Sequence, residues 1–382
     1  MKSQRIDRRS VIRITNCPIC DNSILAVRDG FGKVRRNSRA CIWAPRCGRT
    51  CVVDPPTDAD AMLFQETLMP QAAPPRSQQS YRHEAFMWRD ADDYASVLGS
   101  FVEDGLAAGE AVMVAVVRRH ANWLREGLGN QARKVKFVDM AKLGRNPARI
   151  IPAWQKFVDQ HSGYGRPVRG VGEPIWAGRR PEEILECQLD EALLNLAVDP
   201  KIPLWLICPY DVRGLDPSVI KEAHRSHPAV MDGDRYHGNS QYGGRAHVEA
   251  MFSAELPELE GKPAEYTFAP EAVDRVFNIV TLEAYGAGLW SDKVTDLAAT
   301  SRRLASCSLR RGADEGTIRV WDLPHALICE VSDNTMIDDV LAGRRALASS
   351  DRDGLSSANR KCDLVQLRST GSGTTVRLHM WK

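Results

Sequence analysis

Hydrophobic positions fall along this chain in two blocks of regular period, one from residue 81 and one from about residue 265, each preceded by a stretch without any. In the first block, residues 83–88 read as a strand, 92–107 as a helix with Gly109 just past its end, 111–117 as a fully buried strand and 134–138 as another. A helix opening at Asn146-Pro147 follows, then a strand over 168–175, a helix over 181–196, a strand over 203–208 and a helix over 216–225. Strands that are apolar throughout and separated by helices predict an α/β domain with a parallel sheet covered on both faces. In the second block two helices (270–285 and 291–311) precede alternating segments at 317–322 and 326–332. The chain then ends on 363–369, a Gly371-Ser372-Gly373 turn and 374–381. That order predicts an α+β sandwich, helices on one face of a largely antiparallel sheet.

Four segments result: a basic extension and linker (1–80), the α/β domain (81–231), a second linker rich in Gly, Ser, Asn and Pro (232–264), and the sandwich (265–382). A length of 382 residues with 43% hydrophobic and 26% charged positions suits two globular cores. The longest apolar run, 111–117, is far short of the roughly 20 residues needed to span a bilayer, and no signal-peptide core follows the N-terminus, so a cytoplasmic protein without membrane contact is expected. Residues 1–50 hold twelve Lys/Arg against three Asp, a local +9 within an overall +2, which leaves −7 for the folded remainder. Nucleic acid is not the expected partner. Five of the ten cysteines crowd into the first 51 residues. Cys17-Pro-Ile-Cys20 with Cys47 and Cys51 makes a small zinc module conceivable, whereas a poorly ordered extension is the preferred reading.

The first strand of the α/β domain is followed by Trp88-Arg89-Asp90-Ala91-Asp92-Asp93, which has three carboxylates and no glycine where a phosphate-binding loop would stand. The polar cluster Gly172-Glu173-Pro174-Ile175-Trp176-Ala177-Gly178-Arg179 lies instead at the carboxyl end of a predicted strand, where open α/β sheets place ligands. Cys187, Glu191 and Asn195 make one polar stripe on the next helix, and Cys208-Pro209-Tyr210-Asp211 closes the next strand. With His83, the residues Glu173, Trp176, Arg179, Cys187, Glu191, Asn195, Cys208 and Tyr210 form a candidate pocket for a small effector. A purely structural polar network is the competing reading. His83 and His227 could join Cys208 on a metal, but satisfied core histidines are preferred and no metal is expected.

His83-Glu84-Ala85, residues 101–117 (FVEDGLAAGEAVMVAVV), residues 139–154, GEPIWAGR at 172–179, Glu186-Cys187, Glu191–Asn195 and CPYD at 208–211 resemble the MEDS sensory domain over nearly all of 81–231. The resemblance implies a sensory role and a RecA-like fold without its phosphate loop. Residues 265–382 resemble the histidine-kinase-like ATPase domain of bacterial anti-sigma regulatory kinases, through Ala287-Gly288-Leu289, Gly316–Trp321, Cys329-Glu330-Val331 with Asp333, Leu341–Arg345, Asn359, Cys362–Gln366 and Gly373–Leu378. Such domains bind ATP and Mg²⁺, phosphorylate an anti-anti-sigma protein and sequester a sigma factor. Here the family's base and its Mg²⁺-holding Asn are replaced by Arg303 and Cys307, and the first lid glycine by Arg352. Asp333, Gly354 and Thr375 remain as the nucleotide-contacting positions, so weak ATP binding without catalysis is the most that the resemblance implies. A sensory domain governing a pseudo-kinase that binds a sigma factor or an anti-anti-sigma protein is therefore expected. The alternative is an active protein-serine kinase using substitutes such as Asp314 or Glu315.

Overall fold

In a computed structural model of the chain the described residues are 80–232, 235–345 and 354–382, together with four short strands nearer the N-terminus. Met1–Ala72 and Ala73–Lys382 are separate units. In the first, β1 (Val11–Asn16) pairs antiparallel with β2 (Ser23–Val27), and β3 (Ala40–Ala44) with β4 (Arg49–Val53). Cys17, Cys20 and Cys47, which a zinc module would require, lie outside the described residues, as do Arg352 and Asp353 of the lid.

The second unit begins with β5 (Arg82–Trp88), α1 (Ala91–Ala107), β6 (Ala111–Val116), α2 (Arg118–Leu128), β7 (Lys136–Asp139), α3 (Met140–Leu143) and α4 (Ile150–His161). It continues with β8 (Val168–Gly172), α5 (Pro181–Ala197), β9 (Leu204–Asp211), α6 (Pro217–Ser226), β10 (Ala229–Asp232), β11 (Arg235–Gly238) and α7 (Gly244–Phe252). The sheet order is β11-β10-β5-β9-β8-β6-β7, parallel except for β11. β11 turns back on β10 after a tight connection, which a parallel crossover could not make. The acidic turn after β5 is a helix start: the Asp90 side chain accepts from Asp93 N, and Asp92 and Asp93 sit in the first turn of α1, where the helix dipole favours carboxylates.

Because side chains alternate along each strand, one sheet face carries Phe86, Trp88, Val112 and Val114 under α1 and α2, and the other carries Ala85, Met87, Met113 and Ala115 under α4, α5 and α6. α5 is buried on almost every side, including Glu183, Glu186, Asp190 and Glu191. A helix so enclosed has a further layer of protein beyond the one sheet.

That layer is the second sheet, β12 (Ala264–Phe268), β13 (Gly316–Leu323), β14 (Ala326–Asp333), β16 (Gly373–Trp381) and β15 (Leu364–Thr370) in spatial order, antiparallel throughout. Its core is closed by α8 (Arg275–Gly286), α9 (Ser291–Arg311) and the short α10 (Leu355–Lys361). α9 ends as the pattern predicts: Gly312 takes φ 107° and its N–H reaches back to the carbonyls of Ser308 and Leu309.

Two expectations are corrected. Residues 232–264 are not a featureless linker, since they contribute β11 and α7. Val248 of α7 enters the first core and Phe252 the second. Nor are the two sheets separable beads, because 73–382 forms one unit. Its seam is polar and buried. Arg344 holds Glu186 through Nη2 and Asp190 through Nη1 at 2.7 Å, and Arg368 Nη2 lies 3.1 Å from Glu186 Oε2. Asn146 Nδ2 donates to Asn359 Oδ1 at 3.1 Å, and Arg149 donates to the Asn359 and Arg360 carbonyls at 2.7 and 2.9 Å, closing the carboxyl end of α10. Among the described residues no helix is long and apolar enough to cross a membrane.

Candidate functional site

His83, second residue of β5, shares its sheet face with Cys208 and Tyr210 of β9, because Ala85 is in register with Cys208. Glu191 descends onto that face from α5, and His227 arrives just beyond the end of α6. All four of His83, Glu191, Cys208 and His227 are 3% exposed or less, and their donor atoms lie within 4.8 Å of one another. His83 Nε2 is 3.3 Å from Cys208 Sγ and 3.4 Å from Glu191 Oε2, and His227 Nε2 is 2.9 Å from the same Oε2. Tyr210 Oη donates to Glu191 Oε2 at 3.4 Å. Among the described residues no second grouping of this kind occurs.

The surrounding bonds fix the tautomers. Asn195 Nδ2 donates to the carbonyls of Ser226 (2.8 Å) and Ala192 (3.2 Å), which turns Oδ1 toward His83 Nδ1 at 3.1 Å. An amide oxygen only accepts, so Nδ1 of His83 carries a proton. His227 Nδ1 likewise donates to the Ala223 carbonyl at 2.8 Å. Both Nε2 atoms therefore face the centre of the cluster. Burial and the neighbouring His83 ring hold His227 below the ordinary imidazole range. Burial would raise Glu191, but its two imidazole neighbours outweigh that and bring it down to about 2. Burial, reinforced by Glu191, pushes the Cys208 thiol well up.

The residues assigned to one sensory pocket thus occupy three places. His83, Glu191, Asn195, Cys208 and Tyr210 share the helix-covered sheet face. Glu173 lies at the carboxyl edge of the sheet instead, 2.8 Å from His120 Nδ1 and within an aromatic group of Trp88, Tyr94 and Trp123. Burial raises its carboxyl above the usual range despite the His120 bond. Arg179 is tied to the Pro174 and Gly144 carbonyls, reaches Glu183 at 3.2 Å and packs on the Trp176 ring, while Cys187 Sγ donates to the Pro174 carbonyl at 3.4 Å. Trp176 and Arg179 line a cavity of about 580 Å³ that also touches Arg145, Arg180 and Trp381, across the seam. The split has a simple cause: 173–179 leave the sheet at its edge and take Cys187 with them, whereas 191 and 195 point from a helix onto its middle.

In the second sheet, the positions that the resemblance would place against a nucleotide bond to the protein's own side chains. Asp333 Oδ2 accepts from Arg311 Nη2 at 2.7 Å and Ser308 Oγ at 2.5 Å, while Oδ1 accepts from Thr335 N at 2.7 Å. Thr375 Oγ1 lies 3.2 Å from Ser332 Oγ. Gly354 takes φ +74°, and a Cβ there would meet Arg303 Cγ at 3.2 Å, so the stem of Arg303 lies against the glycine. Cys307, buried on the same face of α9, has Arg310 Nη2 2.9 Å from its sulfur, and burial raises its thiol despite that cation.

Glu186, Asp190, Arg344 and Arg368 have no assigned role in the sequence reading, although Glu186 and Asp190 form an i, i+4 acidic pair on an apolar helix, which is itself a signal. His120 left no comparable trace.

No curated protein matches this chain. Residues 82–228, the span of the parallel sheet from β5 through α6, match the model of the MEDS family, described as the methanogen/methylotroph, DcmR sensory domain, a match that suggests a signalling role.

Proposed function

We propose that this chain is a signalling regulator in which the sensory segment governs a pseudo-kinase of the anti-sigma type, acting on a sigma-factor pathway by protein binding rather than phosphoryl transfer. The observation that carries this reading is the double use of α5. One side of the helix holds Glu191 and Asn195 in the sensory core, and the other presents Glu186 and Asp190 to Arg344 and Arg368 of the second sheet. A shift of α5 by an effector would move those carboxylates against their guanidinium partners. An occupant of the cavity at Trp176 would in addition touch Trp381 directly.

Binding without catalysis is favoured by Arg303 and Cys307, since a general base contributes about 10²- to 10⁴-fold and neither side chain can replace it or hold Mg²⁺. Arg311 adds an obstacle by engaging the carboxylate that would read adenine. Millimolar Mg-ATP should therefore leave the thermal midpoint unchanged. An intact site at 100 times its Kd would add about 2.7 kcal/mol, equivalent to a rise of roughly 4 °C for a unit as large as 73–382. A rise of that order, or transfer of labelled phosphate to an anti-anti-sigma protein, would overturn the proposal in favour of an active kinase.

A further inference from the structure

We propose that His83, Cys208, His227 and Glu191 form a closed four-ligand site for a zinc-type divalent cation inside the sensory core. The inference is independent of the signalling reading, because it rests on the chemistry of one buried cluster.

Tetrahedral bonds of about 2.0–2.3 Å to nitrogen, oxygen and sulfur separate neighbouring ligand atoms by roughly 3.3–3.8 Å. The observed separations of 2.9, 3.3 and 3.4 Å, with none above 4.8 Å, lie around that range. Each imidazole is held from behind, His83 by Asn195 and His227 by the Ala223 carbonyl, so that its Nε2 is aimed inward. This outer-shell arrangement fixes tautomer and ring orientation in metal sites.

The strongest observation is a buried ring nitrogen aimed into the cluster. His227 Nε2 is fully buried and makes no hydrogen bond, although it stands 2.9 Å from Glu191 Oε2. A divalent cation at the centre would engage both Nε2 atoms and compensate the fully buried Glu191 carboxylate. On binding, the Cys208 thiol gives up its proton to solvent and sulfur becomes the fourth ligand. One thiolate and two imidazoles select zinc or cobalt over magnesium or calcium. Four protein ligands and complete burial leave no open position, so the ion is a clamp joining β5, β9, α5 and the end of α6 and does not act as a catalyst.

Cobalt(II) reads the site directly, and the N-terminal cysteines must be silenced first. In the full chain with Cys17, Cys20, Cys41, Cys47 and Cys51 all changed to Ser, one equivalent of Co²⁺ should give the visible bands of a tetrahedral ion together with a near-ultraviolet thiolate-to-cobalt band. Zn²⁺ should bleach both. Adding Cys208→Ser, nearly isosteric, should abolish the charge-transfer band while near-ultraviolet circular dichroism confirms a native core. His227→Gln should lower Co²⁺ affinity by at least tenfold. Zinc should also raise the thermal midpoint of the five-serine protein and leave that of Cys208→Ser far less changed. Absence of the charge-transfer band in the folded five-serine protein, or its persistence after Cys208→Ser, would overturn the proposal.

Discussion

Replacing Arg344 with methionine should cost the folded protein about 3–5 kcal/mol at neutral pH, the usual consequence of removing one member of a buried ion pair. Arg344 binds two carboxylates, both fully buried, and its own side chain is 5% exposed. Glu186 would keep Arg368, but Asp190 would lose the one cation bonded to it. The cost arises from a buried carboxyl left without its partner, which must take up a proton or remain unpaired, so the second substitution Asp190→Leu in the same chain should recover most of it. Urea unfolding of the two variants and the parent separates these terms. A loss below about 1 kcal/mol in the single variant, or no recovery in the double, would show that the seam is wet and weakly coupled. The same pair tests signal transmission: hydrogen exchange in β15 and β16 should rise in Arg344→Met and fall back when Asp190 is removed.

Why this seam escaped the sequence follows from its geometry. Arg344 and Glu186 are 158 positions apart, and nothing in local period connects them. The α/β order was legible because strands buried on both faces read as unbroken apolar runs, and α9 because Gly312 terminates it in the left-handed region. The Cys187, Glu191, Asn195 stripe was also legible as polar. Its division was not: Cys187 bonds to the loop carbonyl of Pro174, whereas Glu191 and Asn195 serve the histidine cluster. β11 was hidden because it is a short edge strand, and α7 because it buries only His247, Val248 and Phe252, too few positions to show a period. In the second sheet the departures from the resembled family at Arg303 and Cys307 could be read from residue type, but the pairing of Asp333 with Arg311 could not, since it depends on side chains from two elements meeting across a turn.

Acidification from pH 8 toward pH 5 should tighten the same seam, the reverse of ordinary carboxylate behaviour. Asp190 lies among Glu186, Glu191, Arg344 and Arg368. Burial, opposed by Arg344 and reinforced by the two glutamates, raises its carboxyl to about 7. A carboxyl raised in the folded state binds its proton there more tightly than in the unfolded chain, so its contribution is fully present below about pH 4 and is lost as pH climbs to about 7. Three pH units of difference correspond to about 4 kcal/mol at most, large beside the stability of a typical domain. Asparagine at 190 keeps an acceptor for Arg344 without the charge. Asp190→Asn should therefore be more stable than the parent at pH 8 by roughly 2–4 kcal/mol and close to it at pH 4.5. Unfolding free energies across that range, taken as the difference between variant and parent, isolate this group from every other titration. A difference that does not change with pH would mean that Asp190 remains ionised beside Arg344 throughout, and the seam would then be a fixed strut instead of a proton-responsive one.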